Sequence, residues 1–251
     1  MKAVLRWLLL VVVAAIGLQL FFLLSIAAAV VMDPVSTTFQ RSEAWRIATE
    51  RDRLRWRQQW VPYERISDHL KRAVIAAEDD GFATHEGVDW EALEKAWEKN
   101  AKAEEQAARL ALRLRSSSSQ SRLRPVRPPK VVGGSTITQQ LAKNLLLSGE
   151  RTLLRKGQEF VLTFALEAML SKQRILEIYL NSVEWGEGIF GAEAAAHHYW
   201  RKPASQLSAY EAARLAVMLP RPKFFEKVPN SGYLAHRAGL IAGRMRHAEL
   251  P

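Results

Sequence analysis

The hydrophobic pattern of the chain changes once, near the N-terminus, from an uninterrupted apolar run to amphipathic segments. The run extends from Leu8 to Met32, contains no charged residue, and has only Gln19 and Ser25 as clearly polar side chains. At 1.5 Å per helical residue, a stretch of about 25 residues crosses a hydrocarbon core of ~30 Å. The apolar core of a secretory signal peptide is shorter, ~7–15 residues. The pattern therefore favours an uncleaved transmembrane anchor at residues 8–32 over a signal peptide cleaved near Ala29.

Two basic residues precede this anchor. Lys2 and Arg6 lie in the segment 1–7, and positive charges tend to stay on the cytoplasmic side of a membrane-spanning helix. We therefore expect a cytoplasmic tail at 1–7 and an extracytoplasmic location for everything after Asp33.

Beyond the anchor, apolar residues recur at helical spacing, and no segment shows the sustained period-two alternation of a strand. Residues 33–61 are polar and rich in Arg and Trp, which predicts a juxtamembrane segment. Its Trp45, Trp56 and Trp60 suit either a lipid interface or a solvated helix face. Residues 62–251 predict a mostly α domain. The predicted helices are Asp68–Glu78 after the N-cap Ser67, Ala92–Leu114, Thr152–Leu170, Ser171–Leu180 with Ser171 as a cap, and Ser208–Leu219.

The positive charge of the chain is concentrated in one strip. The chain carries 36 Lys and Arg against 26 Asp and Glu, a net charge of +10. From Gln106 to Gly149 it has no acidic residue and eight basic ones. Such a strip suits nucleic acid, an anionic membrane surface or a phosphate-bearing substrate, and the expected extracytoplasmic location argues against nucleic acid. The absence of cysteine excludes disulfides and thiolate metal sites.

A dense polar cluster follows the strip, at Gly133–Asn144, which reads GGSTITQQLAKN. Hydroxyls, amides and the ammonium of Lys143 in one short segment suit a surface that binds sugars or phosphates. The alternative is a glycine-rich loop followed by a helix N-terminus with Ser/Thr capping. The segment itself leaves both interpretations open.

Two further groups carry candidate chemistry. Glu78 ends a helix with a small apolar face, where partial desolvation would raise its pKa toward the working range of a general base. The alternative for Glu78 and the adjacent Asp79 is a solvated helix end. Arg155, Lys156 and Glu159 share one helix face, which predicts either an ordinary salt bridge or a cationic clamp for a phosphate that Glu159 orients.

Taken together, these motifs resemble the peptidoglycan glycosyltransferase family, which includes the glycosyltransferase domain of class A penicillin-binding proteins. AVIAAEDDGFATHEG is similar to the first motif of the family and GGSTITQQLAKN to the second. RKGQE, SKQRILEIYLN and WGEGIFG continue in the family's order. The resemblance runs from about Pro62 to the C-terminus and is closest to the monofunctional, membrane-anchored biosynthetic members.

This resemblance implies a lysozyme-like helical fold and polymerisation of lipid II onto a nascent glycan chain. Glu78 would take the proton from the acceptor GlcNAc 4-hydroxyl, and a single inverting displacement would release undecaprenyl pyrophosphate. Glu159 would be the second essential carboxylate, near the donor pyrophosphate. Lys143, Arg155 and Lys156 would neutralise the leaving group. The remaining implied site residues are Thr136 and Gln140 for donor binding, and Asp79, Phe82 and His85 for shaping the site.

The resemblance also sets expectations for location and partners. It implies a single-pass protein of the bacterial inner membrane with a periplasmic catalytic domain, in contact with proteins of a cell-wall synthesis complex. No cofactor is required by the sequence, although a divalent cation, Mg²⁺ or Mn²⁺, is compatible with the donor pyrophosphate. Because no Ser-x-x-Lys or Lys-Thr-Gly motif precedes the last residue, Pro251, we expect a monofunctional enzyme.

One segment departs from the family pattern. Ser116–Lys130 is serine-rich and then proline-rich, without apolar periodicity, and predicts a flexible insertion. Two other function classes stay open at this stage. A lysozyme-like fold also suits a glycan-cleaving enzyme, although a cationic clamp has no obvious purpose there, and a non-catalytic cell-wall assembly scaffold is the third.

Overall fold

The computed structural model describes residues 1–51, 54–116, 133–147, 149–150 and 152–251. These residues are mostly helical. The helices are α1 Lys2–Ala29, α2 Thr38–Arg51, α3 Asp68–Glu78, α4 Trp90–Ser116, α5 Ile137–Leu146, α6 Leu153–Met169, α7 Lys172–Ser182, α8 Ala192–Trp200, α9 Ala209–Met218, α10 Pro222–Lys227 and α11 Gly232–Arg244. Short 3-10 helices lie at Tyr63–Arg65 and Ala204–Gln206. The predicted mostly α class is confirmed.

The chain forms two compact units. One comprises Met1–Gly87 with Thr136–Pro251, and the other comprises Val88–Ser135. The second unit contains α4, which begins with Ala92 N–H donating to Asp89 Oδ1 at 2.8 Å. The predicted flexible insertion lies, from residue 117 onward, outside the described residues.

Helix starts in the first unit are set by short polar side chains that accept backbone N–H groups. Ser67 accepts from His69, Ser171 from Arg174 and Ser208 from Glu211. These bonds satisfy donors that a helix N-terminus otherwise leaves without partners. The predicted caps at Ser67 and Ser171 are confirmed, whereas Thr152 lies just before α6 as its cap rather than within it.

The core of the first unit forms where the apolar faces of these helices meet. Leu70, Ala73 and Val74 of α3 are fully buried, as the periodicity predicted. Helix α3 packs against α9 and α11, and α5 packs against α6 and α7. Most of the α1 surface is exposed, but Phe22 and Ile26 near its C-terminal end join this core.

A small sheet completes the unit and was not predicted. Strand β1 (Arg57–Gln58) pairs parallel with β3 (Ile189–Phe190), which pairs antiparallel with β2 (Glu184–Gly186). Strands of two or three residues are too short to show a period-two pattern. The register places Arg57 opposite Ile189 and Gln58 opposite Phe190.

The described residues of the segment 33–61 make specific contacts with the rest of the first unit. The Gln40 side chain of α2 donates to Ser182 O at 3.0 Å. The Trp56 ring lies 5.0 Å from the Phe190 ring, and the Arg174 guanidinium lies 5.5 Å from the Trp60 ring. Because Trp56 and Trp60 pack on the protein, the lipid-interface interpretation is kept only for Trp45, which is 74% exposed.

Candidate active site

Glu78 is the last residue of α3, and two neighbouring helices hold its carboxylate. Gln140 of α5 donates through Nε2 to Glu78 Oε2 at 3.0 Å. Tyr179 of α7 in turn donates its hydroxyl to Gln140 Oε1 at 2.9 Å. The buried tyrosine therefore fixes the amide orientation, and the amide fixes the carboxylate.

The surroundings of Glu78 raise its pKa. Burial is the largest cause, and the nearby negative charge of Asp79 acts in the same direction. The hydrogen bond from Gln140 and the charge of Lys143 lower the pKa but do not cancel the effect of burial. A position at a helix C-terminus also disfavours negative charge. The predicted proton affinity of this carboxylate thus has a structural basis suited to a general base.

Asp79, directly after Glu78, is held differently. Its Oδ1 lies 2.8 Å from His85 Nε2, and its Oδ2 accepts the Ile137 N–H at 2.8 Å. Gly87 N–H donates to His85 Nδ1 at 3.1 Å, which assigns the ring proton to Nε2, facing the carboxylate. Asp79 is buried, so the solvated helix-end interpretation is wrong for it. It ties the loop after α3 to the start of α5.

Phe82 and His85 support the same loop. Phe82 is fully buried, and its ring meets the His85 ring edge to face at 6.4 Å. The Phe82 ring also contacts the Lys172 ammonium, which lies 4.7 Å from the ring centroid. These contacts keep the Asp79 side chain in place, and a role for Phe82 and His85 in shaping the site stays a prediction.

The polar segment 133–144 divides into capping and outward-facing residues. Thr136 caps α5 by accepting the Gln139 N–H, and the Gln139 side chain returns to the Thr136 N–H at 3.1 Å. The Thr136 hydroxyl also donates to Gly87 O at 2.6 Å. The capping interpretation is therefore confirmed for this pair, and the buried Thr136 hydroxyl serves the fold. Donor binding by the half-buried Gln140 and exposed Lys143 stays a prediction.

Arg155, Lys156 and Glu159 form one ionic cluster on α6. Arg155 Nη1 lies 2.8 Å from Glu159 Oε2, and Lys156 Nζ lies 2.5 Å from Glu159 Oε1. Glu159 is only 3% exposed, whereas both cations are half-buried. The buried Arg155 Nε–H finds no acceptor among the described residues. The salt-bridge interpretation is confirmed, and the same carboxylate aligns two cations side by side.

Two contributors to this region were not predicted as functional. Tyr179 lies within the predicted helix Ser171–Leu180, and only the fold shows that its hydroxyl faces Gln140. Glu167 of α6 accepts from Thr138 at 2.5 Å and from Lys172 at 2.8 Å. A tyrosine on an apolar helix face and a glutamate among helix residues carry no distinctive sequence signal.

The described residues offer no ready metal site. No group of three or more His, Asp or Glu side chains lies close enough together within them to hold an ion.

The candidate site thus contains a half-buried carboxylate with a raised pKa, an amide that orients this carboxylate, and a pair of aligned cations on α6. The family model described as Transglycosylase matches residues 46–109 and 118–246. The chain belongs to the transglycosylase family, its fold is of the lysozyme-like class, and it is a glycosyltransferase.

Three similar proteins carry the name biosynthetic peptidoglycan transglycosylase. The protein from Burkholderia thailandensis is 50% identical over 238 residues, covering 95% of this chain and 84% of its own. The protein from Herminiimonas arsenicoxydans is 49% identical over 253 residues, covering 100% and 99%. The protein from Janthinobacterium sp. (strain Marseille) is 48% identical over 252 residues, with the same coverage of 100% and 99%.

Proposed function

We propose that this glycosyltransferase synthesises peptidoglycan by transferring the growing lipid-linked glycan onto the GlcNAc 4-hydroxyl of lipid II. Support comes from the transglycosylase family and from relatives at 48–50% identity whose names specify peptidoglycan. The observation that carries the proposal is the Glu78 carboxylate, whose pKa burial raises and whose orientation Gln140 sets.

In the proposed reaction, Glu78 accepts the proton of the acceptor 4-hydroxyl as its oxygen attacks the donor anomeric carbon. The bond from that carbon to the pyrophosphate oxygen breaks, and undecaprenyl pyrophosphate leaves with the electron pair. One displacement inverts the anomeric configuration, so an α-linked donor gives a β-1,4 bond. Protonated Glu78 then returns its proton to water.

The cationic cluster acts on the leaving group in this proposal. Negative charge grows on the bridging pyrophosphate oxygen in the transition state, and aligned cations stabilise it more than they stabilise the ground state. Arg155 and Lys156, held by Glu159, are such cations, and Lys143 adds a third from α5. Arg155 also retains an unused Nε–H donor. Asp79, Phe82, His85 and Thr136 keep the loop and the start of α5 in register.

Helix α1 supports the proposed location of the enzyme in the inner membrane. Helix α1 is long and apolar enough to cross a membrane, which fits an anchor in the inner membrane. With Lys2 and Arg6 on the cytoplasmic side, the catalytic domain would lie in the periplasm, beside lipid-linked substrate and other cell-wall synthesis proteins. A Mg²⁺ or Mn²⁺ ion bound through the donor pyrophosphate is compatible with this arrangement.

Polymerisation of lipid II by the purified full-length chain, compared with Glu78→Gln, tests the proposal. Glutamine retains the size of the side chain and a partner for Gln140 but cannot accept the proton. We expect a loss of roughly 10²–10⁴-fold, the usual contribution of a general base. Asp80→Asn is the matched control, since Asp80 is exposed next to the site and contacts Arg244 at 3.1 Å. Full activity of Glu78→Gln would remove the assigned base, and release of short fragments from mature wall without polymer would indicate a hydrolase.

A further inference from the structure

A polar contact joins the apolar helix α1 to the helix that carries the cationic cluster. Gln19 Nε2 donates to Gln158 Oε1 at 2.9 Å, and Gln158 Nε2 donates back to Gln19 Oε1 at 2.9 Å. The two side chains are 139 positions apart in the sequence. Each amide thus satisfies one donor and one acceptor of the other.

This contact is specific because α1 has almost no other polar group. Between Leu8 and Met32 the clearly polar side chains are Gln19 and Ser25. Ser25 donates to Phe21 O within the same helix at 2.7 Å, so it needs no partner outside α1. A glutamine amide cannot be satisfied by lipid chains, and in an apolar environment it pairs with another polar side chain. Gln19 therefore favours one rotation of α1, the one that faces Gln158.

A second set of contacts holds the C-terminal end of α1. Arg174 of α7 donates through Nε to Ala29 O at 2.9 Å and through Nη2 to Met32 O at 2.9 Å. It also pairs with Asp33 at 2.9 Å. These bonds satisfy carbonyl groups that a helix C-terminus leaves without partners. Together with the Gln19 contact, they make α1 a docked element of the catalytic unit instead of a loose tether.

Gln158 lies next to Glu159, the carboxylate that aligns Arg155 and Lys156. The first two side chains of α6 do not hold this turn in place, because Leu153 is 93% exposed and Leu154 is 86% exposed. The contact from α1 therefore restrains the rotation and position of the turn that presents the cations.

We propose that Gln19 is a positioning residue for glycosyl transfer, acting through Gln158 to hold the α6 cationic cluster against the leaving group. This inference rests on the proposed function of that cluster. It assigns the anchor helix a part in the rate of the reaction in addition to membrane attachment.

Steady-state polymerisation by the full-length chain in detergent micelles, where membrane attachment plays no part, tests this role. Gln19→Leu should lower kcat about 10-fold with little change in KM, because misplaced cations weaken transition-state stabilisation. Gln158→Leu should give the same loss, and the double variant should lose no more than either single one. Ser25→Ala is the matched control, since it removes the other clearly polar side chain between Leu8 and Met32 and should keep the wild-type kcat.

Crosslinking provides a rescue that a merely structural role would not show. The chain has no native cysteine, so Gln19→Cys combined with Gln158→Cys can be joined selectively by a short thiol-reactive crosslinker. Before crosslinking, this variant should be as slow as Gln19→Leu, and afterwards it should regain most of its kcat. Wild-type kcat in Gln19→Leu, or no recovery on crosslinking, would overturn the inference. Absence of polymer from the wild-type chain would instead refute the proposed function, while the crosslinking yield would still report the contact.

Discussion

At the scale of single residues, two adjacent carboxylates have been given different environments. Asp79 receives the Ile137 N–H and the His85 ring N–H, which hold it within the fold. Glu78 receives one amide donor, from Gln140, and burial raises its pKa. The fold thus separates a structural carboxylate from a candidate base one position away.

The raised pKa of Glu78 predicts how activity depends on pH. The base must be ionised to accept a proton, so kcat/KM should fall as pH decreases through the raised pKa of the free enzyme. Gln140→Leu removes the donor that favours the ionised form and should move this acidic limb to higher pH. Tyr179→Phe leaves that donor in place and should move it less. A profile measured between pH 4 and 9 with an unchanged acidic limb in Gln140→Leu would contradict this account.

The Lys156 cation gives a second prediction at this scale. Lys156→Met removes one of the two charges aligned by Glu159 and should reduce kcat by roughly 10²-fold, as loss of one transition-state contact does. Lys202→Met is matched to it, since Lys202 also forms a half-buried ion pair at 2.5 Å, with Glu211. Equal effects of the two substitutions in a polymerisation assay would show that the Lys156 pair is only structural.

At the scale of elements, the site depends on how α3 is connected to α5. The loop after α3 reaches the N-terminus of α5 through Asp79 and through Gly87, whose carbonyl accepts the Thr136 hydroxyl. The capping box of Thr136 and Gln139 then sets where α5 begins. Because Gln140 follows directly, an error of one residue in this start would turn its amide away from Glu78.

Gly87 is the position where this connection tolerates least change. Its φ is +83°, and an added Cβ would lie 2.7 Å from Glu167 Cγ and 2.8 Å from Thr163 Cγ2. Gly87→Ala should therefore destabilise the fold by about 1–3 kcal/mol and lower activity with it. Gly239→Ala, in α11 with open space around the new methyl group, should be neutral or stabilising by up to about 1 kcal/mol. Thermal unfolding of both variants checks the pair, and equal melting temperatures would refute the role of Gly87.

At the scale of the whole molecule, the chain combines an apolar helix, a helical catalytic unit and a basic strip. Residues 106–149 carry the strip, and the family match passes over residues 110–117 within it before resuming at 118. The site residues on α3, α5 and α6 all belong to the unit that also contains α1. The apolar helix and the candidate site residues thus belong to one unit.

The serine- and proline-rich segment gives the prediction at this scale. Deleting residues 116–130 should leave polymerisation within about threefold of wild type, because a low-complexity sequence tolerates change. The same lipid II assay measures it, with unfolding temperature as the check on folding. Loss of all activity in a folded deletion variant would show that the segment takes part in function.

Helix boundaries were easier to predict from the sequence than strands or contacts between distant side chains. The starts of α3 and α7 were predictable from the caps Ser67 and Ser171, because an N-cap side chain bonds to backbone groups within the first turn of its own helix. Strands β1 to β3 were not, because segments of two or three residues are selected by their neighbours. The separate roles of Thr136 and Gln140, both expected to bind the donor, were also beyond the sequence, since the direction of a side chain depends on the register of α5.

The sequence by itself determined the apolar anchor helix, the mostly α class, the main amphipathic helices and the candidate chemistry of Glu78, Arg155, Lys156 and Glu159. These depend on composition, period and spacing, which are local properties. Only the tertiary structure decided that Tyr179 orients Gln140, that Asp79 accepts the Ile137 N–H, and that Gln19 meets Gln158. Such contacts join residues far apart in the chain, and their geometry exists only once the helices have packed.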